Sequence, residues 1–439
     1  MKRGSEFVRE MRAVVFALVA LALAIGCGPA APPATGPASV AVSKVVVAPV
    51  VAGTSGDYAP WSTWEGGAPQ GLAPSLFTTF ARAASYEPRW TRFAWTEISD
   101  LLKQGRLEIA VDGMTVRPER SLAGRFTVPI ASGGAVLLLR RPAWATSTML
   151  SDLDKPQLRI AVNRGGHLER VTRAKLPAAT ITAVPDNAQV RGLLARGEVD
   201  AVMTNTFEAP RWAEGLAGIE RVGPISNDVT AFWVRADRAE LADRLDEWLV
   251  TEEESGRLLQ TRATWLGEGA GPSAATPVFA LIAATAERLA LMPWVAAAKQ
   301  KAGLPIEDVA QEEKVIAASK AAVDKALTAR GARFRPSSES VERFFRLQIE
   351  LAKVVQVRSF AKPPKDDRPP PSLDTELRPA IARISARMAS LAGRVAPGSN
   401  PTWATSMARN VLADGGLDEK HADELALAIA ALQPSLPYR

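Results

Sequence analysis

The sequence predicts an α/β domain followed by an all-helical one, on three observations. Short β-branched runs alternate with helical stretches from Lys44 to about Leu266, the pattern of largely parallel sheets with crossover helices. From Pro277 onward no convincing strand follows, only Ala-, Leu-, Glu- and Lys-rich segments with apolar residues three to four positions apart. Between these textures, Gly267 to Thr276 (GEGAGPSAAT) reads as a flexible joint.

With 439 residues, 47% hydrophobic and 23% charged, the chain can bury two or three cores and is neither disordered nor fibrous. One cysteine and two histidines exclude a disulfide scaffold, a structural zinc site and most histidine-based metal or Ser-His-Asp chemistry. Chemistry must then come from carboxylates, Lys, Arg and amides. Lys and Arg number 53 against 47 Asp and Glu, a net +6 spread without basic runs, which favours an anionic small molecule over nucleic acid.

Each element follows in order. Met1 to Arg12 holds Lys2, Arg3, Arg9 and Arg12 and precedes the apolar run Ala13 to Ile25, the order of a secretory signal. That run is shorter than the ~20 residues needed to cross a bilayer. It ends in Ala24-Ile25-Gly26-Cys27, which resembles a bacterial lipobox, so residues 1–27 are a signal with Cys27 as the lipidation point. The Pro- and Ala-rich residues 28–44 form a tether. The α/β domain covers 45–266, with strands in VVVAPVVAG, LEIAVDGM, AVLLLRR, LRIAVNR, TITAVPD, DAVMTN and TAFWVRA. The joint is 267–276 and the helical domain 277–439, with helices near 277–302, 306–330, 339–360 and 373–394 and a weaker tail at 402–434.

Helical spacing sorts the polar residues by face. Arg288 and Lys299, eleven apart, are three turns apart on one otherwise apolar helix. Asp308, Gln311 and Glu312 follow at i, i+3 and i+4, and Gln348 and Gln356 share a face of a later helix. Glu287-Arg288-Leu289, Val295 to Lys299, Pro305 to Asp308, and Phe344 to Ile349 with Gln356 resemble the exported gamma class of all-helical chorismate mutases, over about 277–394. The resemblance implies that Arg288 and Arg378 hold the two carboxylates of chorismate, that Lys299 and Gln356 donate to its ether oxygen, and that Asp308 orients the hydroxyl or the neighbouring cations. The rearrangement to prephenate needs no acid, base or nucleophile, so pre-aimed charge is the available catalyst. Gln311 stands where the family has Arg, with Lys314 or Arg346 as the expected substitute.

In the first domain, Gly53 to Ser62, Trp95, Gly113-Met114-Thr115, Glu119-Arg120 and Asn163 to Glu169 resemble the two-lobed periplasmic solute-binding fold of the amino-acid-binding type. GDYAPWS, NRGGHLE, VPDN and MTNTFEA look closest to the exported cyclohexadienyl dehydratases, which convert prephenate to phenylpyruvate. That resemblance implies Glu208 as general acid and Arg120 as carboxylate clamp, with Asp57, Tyr58, Trp95, Thr115, Gly166, His167 and Asn205 in the binding cleft. Two positions depart from the pattern: Asn205 replaces an Asp that would pair with a substrate ammonium, which implies prephenate over arogenate, and His167 replaces Thr.

The combined expectation is an α/β two-lobed periplasmic-binding-protein-like domain followed by an all-α chorismate mutase domain. Such a chain is expected to be a bifunctional periplasmic enzyme for consecutive steps from chorismate through prephenate to phenylpyruvate, and neither reaction implies a metal or cofactor. It touches the membrane only through a lipid anchor and, by resemblance, forms a homo-oligomer. The competing expectation is a lipid-anchored amino-acid- or carboxylate-binding protein with a helical oligomerisation module.

Overall fold

The computed structural model describes residues 48–141, 144, 149–267, 274–333, 335–362, 369–398, 401–412 and 416–434. The expected signal, Cys27 and the tether lie outside these residues, as do positions 268–273 of the joint.

From the N-terminus run β1 (Ala48–Thr54), a meander of β2 (Asp57–Tyr58), β3 (Ser62–Glu65) and β4 (Ala68–Gln70), then α1 (Leu72–Ala83), β5 (Tyr86–Arg92), α2 (Ile98–Lys103), β6 (Ile109–Thr115), α3 (Pro118–Ala123), β7 (Gly124–Phe126) and β8 (Ala131–Gly133). The chain then crosses to a second lobe with β9 (Ala135–Arg140), α4 (Leu150–Leu153), β10 (Arg159–Asn163), α5 (His167–Lys175), β11 (Thr180–Val184), α6 (Asn187–Ala195), β12 (Ala201–Asn205), α7 (Ala209–Ala213) and β13 (Ile219–Val222). It returns for β14 (Asp228–Arg235), α8 (Ala239–Glu254) and α9 (Arg257–Leu266). The first sheet is ordered β5-β1-β6-β14-β7, with β8 also on β14, and the second β11-β10-β12-β9-β13. All seven expected runs form strands. Strand β5 escaped notice because Pro88 and alternating charged residues disguise it; it is tolerated at the sheet edge, where only β1 pairs with it.

The crossing between lobes needs glycine. A Cβ on Gly134 would lie 2.1 Å from the Ser226 carbonyl oxygen on the returning strand, too close for any side chain. Ala135 N–H donates to Ser226 Oγ at 2.9 Å and Ile225 N–H to the Ala135 carbonyl at 2.8 Å, so both crossings are stitched together.

The helical part contains α10 (Pro277–Ala290), α11 (Met292–Ala302), α12 (Val309–Ala329), α13 (Ser338–Ala361), a π-turn at Leu373–Leu377 leading into α14 (Arg378–Ala392), then α15 (Pro401–Leu412) and α16 (Glu419–Ala430). Thr276 caps α10 by accepting from Phe279 N–H at 3.4 Å, with Pro277 at the first helical position. The segment Pro277–Ala302 is apolar enough to cross a membrane by composition, but 78% of its most apolar window is buried inside the protein, as befits a central core helix. The helix expected at 277–302 forms with an interruption at Leu291, where the backbone stays in the right-handed helical region. A turn at Leu291 separates α10 from α11, because Pro293 has no N–H for a continuous ladder. Arg288 and Lys299 therefore stand on either side of this interruption.

Nor is the boundary a loose joint throughout. Ala274 and Ala275 are fully buried, and Ala275 N–H donates to Glu253 Oε2 at 3.1 Å, a carboxylate already paired with buried Arg262. One apolar core runs from Val50 and Phe77 through Phe279 and Phe344 to Leu432. Polar contacts lock the same face. Buried Glu287 on α10 pairs with buried Arg387 on α14 and accepts from Ser121 Oγ on α3 at 2.8 Å. Arg387 also donates to the Phe126 carbonyl at 2.5 Å, and Arg383 to the Ser121 and Leu122 carbonyls at 3.0 and 3.2 Å. Removing one member of a buried pair strands the other charge away from water. Glu287→Ala is therefore expected to destabilise the protein by about 3–5 kcal/mol, read as a lower urea midpoint; an unchanged midpoint would mean that Arg387 finds another partner.

Candidate active site

Strand β12 is buried along its whole length and ends at Asn205, whose Oδ1 accepts from the N–H groups of Phe207 (2.9 Å) and Glu208 (3.1 Å). This turn folds Glu208 back against the strand end. Its Oε2 accepts from Thr204 Oγ1 at 2.8 Å and Asn205 Nδ2 at 3.1 Å, and its Oε1 from Asn187 Nδ2 at 2.8 Å. Glu208 is 1% exposed, and among the described residues no cation pairs with it. Burial pushes its carboxyl up to about 8, against the bonds from Thr204 and Asn187, with the charges of Asp57 and Asp112 adding to the rise. At neutral pH the group is a protonated acid. Of its three partners only the Thr204 hydroxyl can turn to accept that proton.

Glu208 lines a cleft between the lobes together with Tyr58, Trp95, Thr115 and Arg120 from one side and Gly166 and His167 from the other. The Tyr58 hydroxyl oxygen accepts from Asn205 Nδ2 at 2.8 Å. Burial, then repulsion from Glu208, holds the phenol well above its ordinary range, so its proton stays on. Arg120 donates to the Thr115 carbonyl at 2.9 Å, its guanidinium lies 5.8 Å from the Trp233 ring centroid, and its buried Nε has no partner. Among the described residues it has no carboxylate partner, and burial lowers its pKa well below the usual value. A cation so placed is a ready site for a carboxylate.

Two expected cleft residues do not line the cleft. Asp57 accepts from Trp95 Nε1 at 3.1 Å, and Asn205 stands behind the wall, holding Tyr58 and Glu208. His167 lines it but meets the protein's own Asp228, with Nε2 and Oδ1 2.8 Å apart. His167 belongs to the second lobe and Asp228 to the first, so this pair, Tyr58 with Asn205, and Arg170 with Glu119 all bridge a closed cleft.

Sequence reasoning missed Asn187, although VPDN contains it; a helix-start Asn after Pro-Asp reads as a cap. Yet Asp186 does the capping, accepting from Ala188 N–H at 2.9 Å, which frees Asn187 for Glu208. Asp112 was missed too. It is fully buried beneath the cleft, accepts from Ser55 N–H (2.8 Å) and Ser62 Oγ (2.9 Å), and is raised to about 6 by burial.

The helical constellation is looser. Arg288 is buried and donates to the Gln348 carbonyl at 2.8 Å, with no carboxylate partner among the described residues; burial brings its pKa down to about 10. The amide of Gln348 has neither atom paired, and Gln356 Oε1 is likewise unpaired, while Gln356 Nε2 donates to the Ala352 carbonyl at 3.2 Å. Lys299 donates to the Ile306 carbonyl at 2.7 Å; burial lowers its pKa, with Asp308 and Glu312 opposing and Arg378 and Lys353 adding. Three expected residues stand at the surface instead of around an enclosed hollow. Asp308 caps α12 by accepting from Gln311 N–H at 3.0 Å, Gln311 is exposed, and Arg378 pairs with Asp374 one turn before it. Arg346, one of the two residues expected to stand in for the missing Arg, is exposed and paired with Glu313 and Glu342, each at 2.9 Å.

Residues 50–268 match the family model of the bacterial extracellular solute-binding proteins, family 3. The N-terminal half is thus a two-lobed periplasmic-binding-protein-like α/β domain, and the match ends before the helical part. Within that class, cyclohexadienyl dehydratase of Pseudomonas aeruginosa is 28% identical over 218 residues, 48% of this chain and 81% of the relative. Among solved structures, an ancestral amino acid-binding protein that is a precursor of cyclohexadienyl dehydratase is 25% identical, with TM-score 0.47, covering 50% of this chain and 95% of that one. A Salmonella typhimurium periplasmic binding protein of high arginine specificity is 19% identical, with TM-score 0.45 and coverage of 50% and 99%.

Proposed function

We propose that the α/β domain is a prephenate dehydratase whose general acid is Glu208. The observation that carries this reading is a carboxyl group held protonated in the wall of a cleft that also presents a guanidinium with no carboxylate partner among the described residues, in a domain homologous to cyclohexadienyl dehydratase. Prephenate must lose its ring hydroxyl as water and its ring carboxylate as carbon dioxide. Glu208 gives its proton to the departing hydroxyl, and the electrons of the breaking ring–carboxylate bond complete the aromatic ring. Arg120 then holds the pyruvyl carboxylate that is retained, because a cation on the ring carboxylate would stabilise the charge that has to leave. Tyr58, protonated and already accepting from Asn205, has its own proton for the substrate.

For the helical part we propose chorismate mutase activity, with buried Arg288, the unpaired amide of Gln348, the unpaired Oε1 of Gln356, and Lys299 as the binding groups. Lys299 keeps two N–H donors beyond the one given to Ile306. Export to the periplasm and lipidation of Cys27 complete the reading. The deciding assay supplies chorismate to the purified protein and follows prephenate and phenylpyruvate; tight amino-acid binding without turnover of either compound would instead favour a solute-binding protein.

Asn205→Asp tests the local chemistry. It replaces the donor to Tyr58 and Glu208 with a second carboxylate beside Glu208. The expected result is at least a tenfold loss of kcat on prephenate, with no gain of arogenate turnover large enough to match it; turnover at the wild-type rate would remove Asn205 from the positioning of Glu208.

A further inference from the structure

A cavity of about 580 Å³ lies between the α/β and helical parts, away from the Glu208 cleft and open on one side. Ala283, Ala286 and Ala290 fall at i, i+3 and i+7 on one face of α10 and leave a slot there, facing Val116 and Val229 of the first lobe. Arg117 lines it from the start of α3. Its Nε and Nη1 are buried and have no partner, and burial, together with repulsion from Arg170, brings it down to about 10 while Glu119 opposes. Arg358 and Lys362 stand at the exposed rim. Glu287 is the one carboxylate among the residues lining this cavity, and it is taken up by Arg387 and Ser121.

We infer that this cavity binds a small carboxylate with a flat apolar body and no ammonium group. The alanine face and the valines take the hydrocarbon, Arg117 takes the carboxylate, and the three cations disfavour a positively charged ligand. The site is independent of the reactions proposed above. Its walls reach Arg117, three residues before Arg120, and Glu287 and Leu289, which flank Arg288, but include neither Arg120 nor Arg288.

Calorimetric titration with phenylacetate tests it. Binding should survive Arg120→Gln, weaken at least tenfold in Ala286→Trp and in Arg117→Gln, and be at least tenfold weaker for L-phenylalanine than for phenylacetate. Loss of binding in Arg120→Gln would assign the heat to the cleft and overturn the inference. So would wild-type affinity in Ala286→Trp, or no binding at millimolar phenylacetate. Thermal melting checks each variant, and Val411→Trp on the facing wall replaces Ala286→Trp if the latter does not fold.

Discussion

Glu208→Gln should lower kcat on prephenate about a thousandfold while leaving the conversion of chorismate to prephenate intact, so that prephenate accumulates. The amide preserves the shape of the group and removes its proton. In the wild type, a general acid with a pKa of about 8 is fully protonated at pH 6 and loses its proton as pH rises through 8, so the dehydratase rate should fall on that alkaline limb. Stability moves the same way. A carboxyl raised from its unfolded value of 4.5 to about 8 contributes stability that is complete below 4.5 and lost as pH rises through 8. Relative to the Gln variant, the wild type should therefore melt progressively lower between pH 5 and pH 9. A variant that keeps more than a tenth of wild-type turnover, or parallel melting profiles across that range, would remove Glu208 from the proton transfer.

Lys299→Ala should do the reverse. Loss of a cation aimed at the ether oxygen is expected to reduce chorismate turnover about 10²–10³-fold, while added prephenate is still converted at the wild-type rate. Lys299 is half-buried and bonded to the Ile306 carbonyl, so its removal leaves one surface carbonyl unpaired and little else disturbed. Unchanged chorismate turnover would remove Lys299 from the chemistry. A joint loss of both activities would point to a packing role shared by the two parts.

Strands were legible wherever burial on both faces wrote a continuous apolar run, as in Ile109–Thr115 and Ala201–Asn205. Edge strands such as Tyr86–Arg92 were not, because one-sided burial admits charges and proline. The cleft residues Tyr58, Trp95, Arg120, His167 and Glu208 were legible through the motifs GDYAPWS, NRGGHLE and MTNTFEA and their neighbours, which fall within a few residues of a strand. What stayed hidden was pairing across long separations. Asn187 reaching Glu208, and Ser121 reaching Glu287 over 166 positions, leave no mark in local pattern. Helical spacing put Asp308 on one face with Gln311 and Glu312, whereas Asp308 caps its helix at the surface, and Arg378, which the resemblance set on a substrate carboxylate, pairs with Asp374.

The contacts that fasten the helical part, through Ser121, Leu122 and Phe126, all fall on the first lobe. The second lobe is joined covalently by two strand crossings and otherwise meets the first lobe through contacts such as His167 with Asp228, Tyr58 with Asn205 and the ring of Phe207 against Trp61. Opening of the clam has to break the bridges across the cleft, while the bonds that hold the helices stay within the first lobe's own body. A pair of spin labels across Arg170 and Glu119 should broaden when the cleft is empty, whereas a pair placed across α3 and α14 keeps one sharp distance throughout.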